Sequence, residues 1–138
     1  MKLAQPRLVT KDVQGLARFY EQVLGIDAIG SEDYVELRGS GTSLAISSKR
    51  SIDLFNAGAA HPGANRSLVL DFEVGDVDKE RSRLQEFVTD FVLEPTDQPW
   101  GNRSMLFHDP EGNLINFFTR TQSSPPTRSV FHSSAEVQ

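Results

Sequence analysis

The same order of predicted elements occurs twice along this chain, and this repeat limits the fold more than any other feature. The stretch KDVQGLARFYEQVLG has apolar residues at helical spacing between Asp12, a natural N-cap, and Gly25, a natural C-terminal stop. GDVDKERSRLQEFV repeats the pattern with Asp76 as its cap, so we predict helices over 12–24 and 76–88. Each helix follows one predicted strand and precedes others. This indicates two copies of one unit, each too small to bury its sheet alone.

The strands follow from apolar alternation and turn residues. In the first half, LAQPRLVT predicts one strand, and DYVELRGSGTSLAISS predicts two strands around a Gly-Ser-Gly turn. In the second half, SLVLDFEV places Leu68, Leu70 and Phe72 on one face, and Asp71 and Glu73 on the other. DFVLEP predicts a further strand, and MLFHDPEGNLINF predicts a hairpin. Between the halves, SIDLFNAGAAHPGANRS predicts a connector with one helical turn at most.

Length, charge and cysteine content exclude several classes of protein. At 138 residues the chain is long enough for one domain with a real core. A net charge of -5 with 14 Lys+Arg argues against a nucleic-acid partner, because phosphate binding relies on clustered cations. The absence of cysteine excludes disulfides, thiolate metal sites and a Cys nucleophile. No stretch has the length of a membrane span, and the start lacks a secretory apolar region, so we expect a cytoplasmic protein without a membrane partner.

Three stretches resemble the vicinal oxygen chelate superfamily, the group of glyoxalase I, extradiol dioxygenases and the fosfomycin- and bleomycin-resistance proteins. They are TKDVQGLARFYEQVLGI, FEVGDVDKERSRL and PWGNRSMLFHDPEGNLINF. The Pro-Trp-Gly and DPEGN turns are most similar to those of bleomycin-resistance proteins. The resemblance implies an α+β fold of two βαβββ modules, whose mixed sheets curve into cups with the helices on the convex side. It also implies a homodimer in which two chains share each pocket.

The resemblance covers roughly residues 1–120, which we expect to form one domain. Module one is expected over 1–55, a linker over 56–66 and module two over 67–120. The remainder, 121–138, is a polar tail rich in Pro and Ser, for which composition alone predicts disorder.

Members of the superfamily that use a metal place one ligand on the first strand and one on the last strand of each module. The matching positions here are Gln5, Ala45, Val69 and Asn116. The alternation of apolar residues in the last strand of each module agrees, since it turns Ala45 and Asn116 away from their apolar neighbours. A divalent metal needs several His or carboxylate donors, and these positions carry two amides and two aliphatic groups. We therefore expect no metal, no other cofactor and no catalytic residue.

The residues that we expect to bind a ligand lie on the same predicted cup walls. Gln5, Asn116, Asp71 and Glu73 would orient the ligand. Trp100 and Phe118 would supply apolar contact and stacking. Each assignment has a plain alternative: Asp71 and Glu73 can form a solvated sheet face, and the only Trp can be a packing residue.

Three functional hypotheses follow. The leading one is a metal-independent protein that binds and sequesters a small aromatic or cationic compound. The second is an enzyme of the same superfamily, a metal-dependent lyase, isomerase or ring-cleaving dioxygenase, which requires further donors such as Glu36 or His108 to enter the cup. The third is a structural or regulatory dimer with a vestigial pocket.

Overall fold

The computed structural model describes residues 1–121, so 122–138, nearly all of the predicted tail, lie outside the described residues. Two four-stranded mixed sheets and three helices make up the fold, with the strand orders β1-β4-β3-β2 in sheet A and β5-β8-β7-β6 in sheet B. The strands of sheet A are β1 (Arg7–Thr10), β2 (Ala28–Gly30), β3 (Tyr34–Arg38) and β4 (Ser43–Ser48). Those of sheet B are β5 (Val69–Glu73), β6 (Phe91–Asp97), β7 (Asn102–His108) and β8 (Leu114–Arg120).

Both sheets have the same topology, because the first strand of each pairs in parallel with the last strand and the other neighbours are antiparallel. This order confirms the predicted α+β fold of two βαβββ modules. The short strand β2 was not predicted, because the sequence indicated only a two-stranded hairpin after the first helix.

Helix α1 (Val13–Leu24) begins and ends where the sequence predicts. The Asp12 carboxylate accepts from the amide of Gly15 at 3.0 Å, and Gly25 ends the helix in the left-handed region at φ 70°. Helix α3 (Val77–Leu84) is capped by Asp76 as expected, but it ends earlier than the predicted 76–88. Helix α2 (Lys49–Phe55) follows β4 directly, with Ser48 as its N-cap, where we had expected one helical turn at most. None of the helices in residues 1–121 is long and apolar enough to cross a bilayer.

One hydrophobic core joins both modules through α1 and α3. Tyr20 and Leu84 are fully buried in it, and Phe19 and Phe87 pack against its edge, so the apolar side of each helix faces the core. The core faces of the sheets contribute mainly aliphatic and aromatic residues, namely Leu8, Val35, Leu37, Leu44, Ile46, Leu70, Met105, Phe107, Ile115 and Phe117. The prediction for Leu68 was wrong. It precedes β5 and is 43% exposed, because the strand pairing of β5 starts at Val69 with Leu114.

Polar contacts link the modules beside this core. The hydroxyl of Tyr20 donates to the buried carboxylate of Asp109 at 2.6 Å, and Thr10 donates to Glu111. Asp109 also accepts from the amides of Glu111 and Asn113 at 2.8 and 2.9 Å and from the Asn113 side chain at 2.7 Å. One carboxylate therefore fixes the turn between β7 and β8 and ties that turn to α1. Burial, and then the charge of Asp109, raise the pKa of Tyr20 far above its usual value.

The substitution Tyr20→Phe is expected to destabilise the protein by about 1 to 3 kcal/mol, because it leaves a buried carboxylate oxygen short of one donor. Urea unfolding of the wild type and the variant measures this loss. Tyr34→Phe is the control, since Tyr34 is only half-buried, and its cost should be smaller. Equal losses in the two variants would contradict the account.

The raised pKa of Tyr20 also predicts the pH dependence of stability. An unfolded chain releases the Tyr proton near pH 10.0, whereas the folded chain retains it. The contribution of Tyr20 is therefore complete below that pH and is lost as the pH rises above it. The alkaline loss of unfolding free energy should be shallower in Tyr20→Phe than in the wild type.

Candidate functional site

Each sheet has a core face that packs on α1 or α3 and an opposite face, which we call its outer face. Strand register assigns Arg7, Ala45 and Glu36 to one row of the outer face of sheet A. It assigns Asp71, Asn116 and Leu106 to one row of the outer face of sheet B. Of the four positions of the family's metal site, Ala45, Val69 and Asn116 therefore lie on outer faces, and Gln5 lies just before β1.

The outer face of sheet A carries a chain of polar contacts. Gln5 donates to the hydroxyl of Tyr34 at 2.8 Å, and that hydroxyl donates to Glu36 at 2.6 Å. Arg38 pairs with the other oxygen of Glu36 at 2.9 Å. The hydrogen bond from Tyr34, and then that from Arg38, lower the pKa of Glu36, while Glu36 raises the pKa of Tyr34. Gln5 is thus engaged within its own module.

Helix α2 covers part of this face. Arg7, which shares the row of Ala45, donates to Asn56 at the C-terminal end of α2 at 3.0 Å. Ala45 and Ser47 are almost completely buried although they point away from the main core, and Ile52 of α2 is buried outside the main core cluster as well. We therefore place α2 on the outer face of sheet A, where it narrows the space open to a ligand.

Within residues 1–121 no helix or loop is seen to cover the outer face of sheet B as α2 covers that of sheet A. The apolar residues of the outer face of sheet B are Val69, which is 44% exposed, and the half-buried Leu106, Leu114 and Phe118. Its two carboxylates lie on the edge strand β5, Asp71 beside Asn116 and Glu73 beside Phe118. Arg120 of β8 adds a cation to this face and pairs with Glu73 at 3.4 Å. The face therefore combines apolar surface with two carboxylates, one amide and one cation.

The amide of Asn116 stands at the centre of this face with one end unpartnered. Its nitrogen donates to Asp71 at 3.0 Å, and because a carboxylate only accepts, this contact fixes which end of the amide is the oxygen. The oxygen, Oδ1, is buried and has no hydrogen-bond partner among the described residues. A buried acceptor without a donor costs about 1 to 3 kcal/mol. An N–H or O–H group of a ligand that reaches Oδ1 would offset this cost.

Trp100 lies at the rim of sheet B, in the turn between β6 and β7. It is 66% exposed, which excludes the plain alternative of a core residue. The amide of Thr121, just after β8, donates to the neighbouring Gly101 at 2.9 Å and holds the turn beside the end of β8. Phe118 lies on β8 under the guanidinium of Arg120, at 5.8 Å from its ring centroid. Within residues 1–121 no aromatic ring pairs with Trp100.

The structure brings some of the predicted site residues together and leaves others apart. Asp71 and Asn116 are hydrogen-bonded, and Glu73 and Phe118 are cross-strand neighbours. Gln5 contacts module one, and no hydrogen bond among the described residues links it to Asn116. A cavity of about 500 Å³ lies between the modules and is lined by Asp71 and Glu73 but not by the other four predicted residues.

Tyr34 is the residue that the sequence interpretation missed. The signal was present, since DYVELR alternates and places Tyr34, Glu36 and Arg38 on the face opposite Val35 and Leu37. The contact of Tyr34 with Gln5, 29 residues away, depends on the pairing of distant strands.

The metal site of the family does not fit the donors of this chain. Ala45 and Val69 have no donor atom, and Gln5 and Asn116 offer neutral amides. Glu36 is the one carboxylate beside Ala45, and it is already paired with Tyr34 and Arg38. His108 is bound through Nδ1 to Asp90 at 2.7 Å. No group of three or more His, Cys, Asp or Glu side chains in residues 1–121 could hold a metal ion.

The fold defines the class: an α+β protein of two βαβββ modules, each with a four-stranded mixed sheet. A sequence model of the Glyoxalase/Bleomycin resistance protein/Dioxygenase superfamily matches residues 2–117. The chain belongs to this superfamily. A search of the curated proteins finds no match.

Solved structures share the fold at low sequence identity. A glyoxalase/bleomycin resistance protein/dioxygenase from Nocardioides is 22% identical, with a TM-score of 0.76 over 94% of this chain and 91% of that one. A family enzyme from Burkholderia phytofirmans PsJN is 18% identical, with a TM-score of 0.76 over 87% and 99%. A glyoxalase-related enzyme from Fulvimarina pelagi is 17% identical, with a TM-score of 0.75 over 93% and 99%. At these identities the likeness shows the fold alone.

The substitution Tyr34→Phe is expected to raise the pKa of Glu36, because the Tyr34 hydroxyl is the largest cause of its lowered value. Carboxyl carbon NMR titration measures the change. Arg38→Gln is the comparison, and its effect should be smaller but in the same direction. A larger rise of the Glu36 pKa in Arg38→Gln than in Tyr34→Phe would show that the Tyr34 hydroxyl is not the main group that stabilises the ionised carboxylate.

Proposed function

We propose that the protein binds and sequesters a small organic compound, without a metal, on the outer face of sheet B. The observation that carries the proposal is the unpartnered amide oxygen of Asn116, set among Leu106, Leu114 and Phe118. Apolar surface with few, fixed polar groups is typical of small-molecule sites. The compound would place an N–H group on Asn116 and an apolar body on its neighbours.

Charge on this face favours a cationic compound. Asp71 and Glu73 lie on β5 beside Asn116 and Phe118. Within the described part of the chain Glu73 forms an ion pair with Arg120 at 3.4 Å, and both side chains are more than half exposed, so solvent weakens the pair. An amidinium or ammonium group could donate to Asn116 and be attracted by both carboxylates. Trp100, at the rim, could then stack on a planar part of the ligand.

A second copy of this chain would complete the pocket. Among the described residues Val69 is exposed and Phe118 half-buried on one wall, and a ligand held by one wall alone keeps most of its surface in water. A symmetric homodimer would supply the opposite wall, here expected to bury more than about 1,000 Å² in total. The metal-dependent enzyme of the same superfamily is the weaker alternative, because the donors described above do not fit a divalent ion.

Replacing Asn116 by Leu tests the orientation of the ligand. Trp100 is the only Trp, so the quenching of its fluorescence by metal-free bleomycin or benzamidine, in the presence of a chelator, measures binding. The loss of one hydrogen bond to a charged group should weaken the affinity by about ten- to a hundredfold. The stability of Asn116→Leu should be close to that of the wild type, because the substitution also removes the unpartnered oxygen.

Asn56→Leu is the matched control, because Asn56 lies beyond sheet A at the end of α2. It should bind the probes as the wild type does. Benzamide, the neutral counterpart of benzamidine, should bind more weakly. The proposal would be contradicted by an absence of saturable quenching with both probes, or by binding that needs added zinc, nickel or iron.

The proposed dimer predicts that Val69→Asp is monomeric in light scattering at micromolar concentration, whereas the wild type is dimeric. A charge on the outer face of sheet B would be buried at the proposed interface without a partner. Gln14→Asp is the control, since Gln14 is exposed in the first turn of α1, on the helix side of the sheet, where an acidic residue is tolerated. A monomeric wild type would rule out the shared pocket.

A further inference from the structure

We infer that the cleft between the two modules is a second binding site, for an amphipathic organic cation. The cleft is the cavity of about 500 Å³ noted above, and it lies on the core side of the sheets. Its volume falls within the range of about 300 to 1,000 Å³ that is usual for ligand pockets. Asn116, Phe118 and Trp100 do not line it, so it is separate from the outer face of sheet B.

The floor of the cleft is apolar and comes from both modules. Leu37 and Leu44 contribute from sheet A, Leu70 and Phe117 from sheet B, and Val23 from α1. All five are buried apolar residues of the main core, so the floor cannot hydrogen-bond through its side chains. A hydrocarbon chain or ring that entered the cleft would bury its surface there, at roughly 25 cal/mol per Å².

The charged residues of the cleft leave an excess of negative charge. Arg83 is the one cation among its described lining residues, and its charge is already engaged. It donates to the carbonyl oxygens of Gln22 and Val23 at 2.8 and 2.7 Å and pairs with Glu80 at 2.6 Å. Arg83 and Glu80 therefore neutralise one another at the C-terminal end of α1.

Asp71 and Glu73 are the two carboxylates of the cleft that Arg83 does not neutralise. Asp71 accepts from the neutral amide of Asn116, and the pair of Glu73 with Arg120 is exposed and weakened by solvent. Both carboxylates lie on β5, an edge strand of sheet B, so they border the cleft as well as the outer face. An ammonium or guanidinium group at this edge would neutralise them, while an attached apolar body lies on the floor. A neutral molecule would gain only the apolar contact, and an anion would be repelled. The chemistry thus selects a cation with a hydrocarbon part.

Octylammonium is the probe, with octanol and octanoate as neutral and anionic molecules of similar length. Methyl NMR of the full chain, with Leu24 and Leu70 as cleft reporters, measures binding. Octylammonium should shift these methyl groups saturably and bind more tightly than octanol, and octanoate should bind weakest. Equal affinities for the three probes would overturn the charge assignment.

Two glycines provide a matched pair of blocking variants. A Cβ added at Gly41, in the turn at the mouth of the cleft, meets no atom within 4 Å, and the same holds at Gly75, which does not line it. Gly41→Trp should weaken octylammonium binding by about tenfold or more. Gly75→Trp should leave it within about twofold. Wild-type affinity in Gly41→Trp would overturn the inference.

Charge variants and Asn116→Leu separate this site from the outer face. Glu73→Gln should weaken octylammonium binding by up to about fivefold, as expected for an exposed charge pair. Glu86→Gln, at an exposed position that does not line the cleft, should not change it. Asn116→Leu should also leave octylammonium binding unchanged. If Asn116→Leu abolishes it, the probe occupies the outer face and the cleft is not the site.

Discussion

The carboxylate of Asp109 is the interaction on which the rest of the structure depends. It accepts hydrogen bonds from two backbone amides and the Asn113 side chain within its own turn, and from Tyr20 of the other module. The turn fixes where β8 begins, and the start of β8 fixes its register with β5 and β7. Because side chains alternate along a strand, a shift by one residue would bury Asn116 and expose Phe117. The outer face of sheet B therefore exists because this turn is held in place.

The same register places the positions of the family's metal centre on or beside the outer faces, but the residues there lack metal donors. The strands present the positions at which metal-binding members carry their metal ligands, but Ala45 and Val69 offer no donor atom. The polar groups near them bind one another instead: Gln5 with Tyr34 in module one, and Asn116 with Asp71 in module two. Among the buried side-chain polar atoms of residues 1–121, the amide oxygen of Asn116 is left without a partner. A site with one neutral acceptor and nearby carboxylates suits the N–H groups of a cation better than it suits a divalent metal.

Local features could be predicted from the sequence, and long-range ones could not. Asp12 and Gly25 act within one turn of α1, so their residue types alone place the ends of that helix. The three residues of β2 are too few for an alternating pattern. Alternation placed Leu68 on the apolar face of its strand, but the strand pairing begins one residue later, and only the partner strand reveals this.

In the candidate site, too, local features could be predicted from the sequence and long-range contacts could not. Alternation placed Asp71, Glu73, Asn116 and Phe118 on one face, as the register has them. Three other features depend on contacts between residues far apart in the sequence. They are the hydrogen bond of Gln5 with Tyr34, the position of α2 on the outer face of sheet A, and the cleft between the modules.

The most direct test of the central claim is the NMR signal of the Asn116 side-chain amide. Isotope-labelled, chelator-treated protein would be titrated with benzamidine while the amide carbon and the attached nitrogen of Asn116 are followed. The account predicts a saturable shift of the amide carbon, as expected when its oxygen accepts a new hydrogen bond, together with smaller shifts at Leu106 and Leu114. The account would be contradicted if the Asn116 signal stayed unchanged while other regions shifted, or if it moved only after a divalent metal was added.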